Sequence, residues 1–72
     1  MLPVTNLDEA KRLVDSFPGK PEEFVLSLSE ELLDPFGMNM AIITDRVLAR
    51  GWAPNGFDQK QGFRVYLYKM LK

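Results

Sequence analysis

The sequence predicts one α+β domain, three helices followed by a C-terminal β-hairpin. Three observations carry this. Residues 37–52, GMNMAIITDRVLARGW, are a run that only a helix accommodates, apolar around most of its circumference. Upstream, Leu7, Ala10, Leu13, Val14 and Phe17 recur at helical spacing. Downstream, residues 63–70, FRVYLYKM, alternate with the period of a strand. Residues 1–72 fit a single small domain. A chain this short buries only about 60% of the surface its unfolded form exposes, so its stability is marginal.

The residues before Thr5 read as a short extended lead-in, because Pro3 opposes a helix there. Asn6 is an N-cap type, and Glu9 three residues on completes a capping-box pattern. The first helix is expected over Asn6–Ser16, with Asp8 and Arg12 paired at i,i+4. Phe17-Pro18-Gly19 ends it. Residues 21–33 admit two readings. Pro21 with Glu22 and Glu23 has the form of a helix first turn, and Phe24, Val25, Leu28 and Leu32 then make a face, so a second helix is expected over Pro21–Leu33. Yet Phe24, Leu26 and Leu28 also alternate with Val25, Ser27 and Ser29. In that alternative 24–28 is a strand, Ser27 or Ser29 caps a short helix running to Asp34, and the order becomes α-β-α-β. Asp34-Pro35-Phe36-Gly37 is a turn either way.

On the central helix Met38, Ala41, Ile42, Asp45, Ala49 and Trp52 share one side. Met40, Thr44, Val47 and Leu48 cover much of the other. Asn39, Arg46 and Arg50 fall on one narrow stripe with Ile43 beside them. Asn39 suits the N-cap, the two arginines suit the negative end of the helix dipole, and Gly51 suits the left-handed residue that stops it. Ala53-Pro54-Asn55-Gly56 is turn chemistry, and 57–62 reads as an exposed loop or irregular strand. In the final strand Phe63, Val65, Leu67 and Lys69 face one way and Arg64, Tyr66, Tyr68 and Met70 the other. Phe63, Val65 and Leu67 are expected in the core, while Tyr66 and Tyr68 are either a partly exposed contact face or core residues under a helix. Its pairing partner is either the Trp52–Phe57 region or the 24–28 segment. The expected core is Leu7, Ala10, Val14, Phe17, Phe24, Leu28, Leu32, Ile42, Val47, Leu48, Trp52, Phe63, Val65 and Leu67.

Composition narrows the chemistry. The chain has no cysteine and no histidine, which removes the commonest metal ligands, nucleophile and general base. The adjacent acids Glu22/Glu23 and Glu30/Glu31 point about 100° apart on a helix and make no shared acid–base site. Gly37, Gly51, Gly56 and Gly62 match no phosphate-binding fingerprint. No catalytic residue, metal or cofactor is therefore expected, and the chain reads as a non-enzymatic binding domain. With no long apolar span and no leader pattern, it is expected to be cytoplasmic, with no membrane partner. Net charge is −1, but residues 1–36 sum to −5 and residues 37–72 to +4. That asymmetry points to an anionic partner for the basic half, or to two halves that attract each other.

The order helix, helix, turn, helix, hairpin resembles a winged-helix DNA-binding domain. The resemblance lies in the pattern of elements across most of the chain and carries no diagnostic residue. It implies a central helix in the major groove with Asn39, Ile43, Arg46 and Arg50 outward, and a 55–62 wing with Lys60 near its tip. Nucleic acid is the first partner class expected. The alternative is a protein-interaction module or small homodimer, using Arg64, Tyr66, Tyr68 and Met70 on the outer face of the last strand, a composition enriched at binding hot spots.

Overall fold

A computed structural model describes residues 2–71. Two α-helices, α1 (Leu7–Ser16) and α2 (Met38–Ala49), lie against one face of a three-stranded antiparallel sheet. Its strands are β1 (Val25–Ser29), β2 (Trp52–Lys60) and β3 (Phe63–Met70), in the order β1-β3-β2. The last strand in sequence is thus the central one. Both neighbours run antiparallel to it, β2 through a tight hairpin and β1 through the rest of the chain.

The first helix forms as its sequence requires. Asn6 Oδ1 accepts from the Glu9 backbone N–H at 2.8 Å, and Ala10 and Val14 are fully buried. The helix expected over Pro21–Leu33 does not form, so the three helices become two. Pro21–Glu23 and Glu30–Leu32 are single 3-10 turns with β1 between them. The alternation decides this: Leu26 and Leu28 are buried, whereas Val25 is exposed and Ser27 and Ser29 are half-buried on the other face. Ser29 caps the second turn, accepting from Glu31 N–H. A 3-10 turn thus stands where the winged-helix pattern requires a second helix. The free edge of β1 is covered at one point by Val4, which donates to Ser27 O at 2.8 Å and accepts from Ser29 N–H at 2.9 Å.

Two further boundaries differ from the sequence expectation. Asn39 is not the N-cap of α2. Gly37 holds that position at φ +69, and Asp34 supplies the acceptors: its carboxylate takes the backbone N–H groups of Phe36, Met38 and Asn39 at 3.2, 3.0 and 2.9 Å. Asn39 instead donates through its side chain to Leu32 O, tying the 3-10 turn to the helix. Nor is Ala53–Gly56 the hairpin turn. β2 runs through it with a bulge between Pro54 and Phe57, and Gly56 takes φ +85 there. Pro54 is tolerated because β2 is an edge strand. The chain reverses at Gln61-Gly62, between the paired residues Lys60 and Phe63.

The faces of β3 resolve toward the core alternative for its tyrosines. Tyr66 and Tyr68 point inward and are 9% and 3% exposed. They lie in the core with Val4, Ala10, Val14, Phe24, Leu26, Leu28, Leu32, Ile43, Val47 and Trp52. Phe63, Val65 and Leu67, expected inside, are half-buried on the sheet's open face. Ile42 and Leu48, also expected in the core, are 39% and 43% exposed, while Ile43 is fully buried. The core therefore keeps the expected Ala10, Val14, Phe24, Leu28, Leu32, Val47 and Trp52, with Leu7 and Phe17 packed at its margin. No helix among the described residues is long and apolar enough to cross a membrane.

Burial, with Tyr66 nearby, pushes the Tyr68 phenol well above its ordinary pKa, and its hydroxyl has no hydrogen-bond partner among the described residues. Tyr68→Phe removes that buried polar atom while keeping the ring. It is expected to leave the urea-unfolding free energy unchanged or to raise it by up to about 1 kcal/mol. The Asp34 carboxyl is held below the usual aspartate range, first by the Asn39 N–H and then by that of Met38. A depressed carboxylate contributes stability above its unfolded pKa and loses it as pH falls from about 4 toward the lower folded value. Urea midpoints at about pH 7 and about pH 3 should therefore differ less in Asp34→Ala than in the parent chain.

Candidate interaction surfaces

The arginine stripe of α2 is turned toward α1. Arg50 Nη1 donates to Val14 O at 2.8 Å and to Phe17 O at 2.7 Å. Those carbonyls end α1, whose last turn carries no basic residue of its own. Arg50 thus compensates the negative end of a neighbouring helix, and its guanidinium also lies 4.3 Å over the Trp52 ring. Arg46 pairs with Asp15 of α1, an ion pair between the acidic and basic halves of the chain. Ile43, the apolar member of the stripe, is fully buried, and Asn39 is half-buried with its amide on Leu32 O. Of the residues expected outward, Ile43 is corrected to the core, and Asn39 is engaged with the 3-10 turn; Arg46 and Arg50 are exposed but held at the α1–α2 seam. Lys60 is exposed at the end of β2, next to the hairpin turn; residues 55–60, expected in a wing loop, belong to that strand.

The second candidate set divides. Tyr66 and Tyr68 are core, not surface, because the paired residues Leu26 and Pro54 place them on the helix-covered side. Met70 is half exposed at the strand end. Arg64 is half-buried, donates from Nε to Gln59 Oε1 at 2.7 Å and from Nη1 to the Tyr66 hydroxyl at 3.1 Å, and stacks 4.5 Å over Phe57. Gln59 in turn donates to Phe63 O at 3.2 Å and to Glu30 at 3.4 Å. This network ties the β2–β3 hairpin together and joins it to the 3-10 turn after β1. The strand over 63–70 lies where the sequence puts it, and its tyrosine face is the helix-covered one.

Two apolar surfaces remain uncovered. One is the open side of the sheet. Val25 stands opposite Leu67, Ser27 opposite Val65, and Ser29 opposite Phe63, with Ala53, Asp58, Lys60 and Lys69 completing the face on β2 and β3. The other is the outer arc of α2, which carries Met38, Ala41, Ile42, Leu48 and Ala49, all exposed, around Asp45. Phe36, just before the helix, is 86% exposed. The apolar residues expected in the core from these two surfaces are Phe63, Val65 and Leu67 on the sheet and Ile42 and Leu48 on α2.

The described residues enclose no cleft of ligand size and no group of three metal-ligating side chains. No protein-family model, no curated protein and no solved structure matches this chain.

Arg50→Ala leaves the terminal carbonyls of α1 without their donor and uncovers Trp52. It should lower the unfolding free energy by about 1–2 kcal/mol in urea, although Arg50 lies at the surface. A cost near zero would mean that water replaces the guanidinium fully.

Proposed function

We propose that this chain is a non-catalytic protein-interaction domain, and that its contact surface is the open face of the sheet. The observation that supports this best is the patterning of β3. A strand with one solvated face alternates apolar and polar residues. β3 carries Tyr66 and Tyr68 on one face and Phe63, Val65 and Leu67 on the other. That is the pattern of a central strand covered on both sides, yet the helices cover only one. With Val25 alongside, the uncovered residues are contiguous, as expected of a binding patch.

The rim says something about the partner. Lys60 and Lys69 are exposed on this face against the single acid Asp58. An apolar partner surface with acidic flanks fits it best, the lysines steering the encounter and the apolar row holding the complex. The free edge of β2 is a poorer candidate for strand addition, because Pro54 and the bulge after it interrupt its row of donors. A nucleic-acid partner is the competing outcome, with Lys60 and Lys69 as its cationic contacts.

The test is site-specific photo-crosslinking in cells, with the photoreactive residue at position 67 or 25 and a control at Glu22. A defined protein adduct at 67 and 25, absent at the control and lost when Val65→Asp is added, is the expected result. Val65→Asp places its charge on the open face and should leave the far-UV circular dichroism unchanged. Equal labelling at all three positions, or adducts to nucleic acid alone, would contradict the proposal.

A further inference from the structure

The outer arc of α2 presents a second, independent surface. Met38, Ala41, Asp45 and Leu48 are spaced three, four and three residues apart, the a/d pattern of a helix that packs against another helix, and Ile42 and Ala49 widen the seam. All six are exposed. The same helix buries Ile43 and Val47 on its opposite side, so α2 has two apolar faces and only one is covered. α1 provides the internal comparison: of its apolar residues only Leu13 is exposed.

Asp45 is the one charged residue within this seam. It is exposed and makes no ion pair among the described residues. A single polar group at an a position selects a partner, because a partner apolar at that point, or carrying the same charge, pairs with it badly. A parallel second copy would set Asp45 against Asp45, so self-pairing in that sense is disfavoured. We infer that the outer face of α2 takes an amphipathic helix from a different protein, one with apolar residues at helical spacing and a lysine or arginine opposite Asp45. The contact is small. α2 has 12 residues, a length of about 18 Å, which places the complex at the weak, transient end of protein interfaces.

Two synthetic helical peptides test this. They are identical, with leucine and alanine at the a and d positions, except for lysine or glutamate at the central position that faces Asp45. Binding is read from the methyl resonances of Met38, Ala41, Ile42 and Leu48 in the full chain. The lysine peptide should shift these methyls and bind at least about tenfold more tightly than the glutamate peptide. In Asp45→Lys the preference should invert. Because Asp45 is at the surface and unpaired, that variant should keep the parent's remaining spectrum, and Asp45→Ser, which should abolish the preference in either direction, serves as a second check. Absence of shifts with both peptides would overturn the inference, as would equal affinity for the two. Shifts confined to the Val65 and Leu67 methyls would overturn it too and would instead favour the sheet face, so the two proposals fail separately.

Discussion

Four aromatic rings from four separate parts of the chain meet at one point, and the remaining structure depends on them. Phe17 ends α1, Phe24 leads into β1, Trp52 opens β2 and Tyr68 belongs to β3. Phe24 is the hub, with ring centroids 4.9 Å from Phe17, 5.5 Å from Trp52 and 5.8 Å from Tyr68. Phe17 also meets Trp52 edge-on at 6.3 Å. Rings of this size supply much of the burial a 72-residue chain can make, which is why a small domain concentrates them. Their placement then fixes the sheet. With Tyr68 drawn into the cluster, the period of two forces Tyr66 inward and sends Phe63, Val65 and Leu67 to the open face. Arg50 covers Trp52 and holds the end of α1, so the helices are locked to the same point.

How much of this could be read from the sequence follows from the same physics. The first helix was legible because one periodicity and one cap agreed, and Asn6, Ala10 and Val14 stand as expected. The central helix and the last strand were legible as elements, but not in orientation. α2 is apolar on both sides, so its wheel names no inward face, and Ile42 was taken for core in place of Ile43. In β3 each face carries a basic residue, Arg64 on one and Lys69 on the other, so charge does not choose between them. Hydrophobicity favoured Phe63, Val65 and Leu67, whereas ring area favoured Tyr66 and Tyr68, and area won. In segment 21–33 it is the strand alternative that forms, followed by a Ser29-capped turn, because the proline and acids that suggest a helix start a 3-10 turn as readily.

The engagement of the candidate arginines was hidden for a related reason. Arg46 and Arg50 are exposed, as their stripe suggests, but on sequence alone nothing shows that the carbonyls of Val14 and Phe17 lie beside Arg50, more than 30 residues away. Polar residues on a small domain often serve a neighbouring element's backbone, since every helix end must be satisfied. The same economy shows what is left over. Once the arginines are engaged with α1 and the tyrosines are in the core, the uncommitted apolar surface lies on the open side of the sheet and the outer side of α2.

Both the core and the proposed contact surface follow from the facing of β3. Solvent paramagnetic relaxation, with a soluble gadolinium chelate and a dilute sample, reports that facing residue by residue. Strong enhancement is expected at the methyls of Val25, Val65 and Leu67 and little at Leu26, Leu28 and the Tyr68 ring. Protected Val65 and Leu67 methyls with an exposed Tyr68 ring would contradict it.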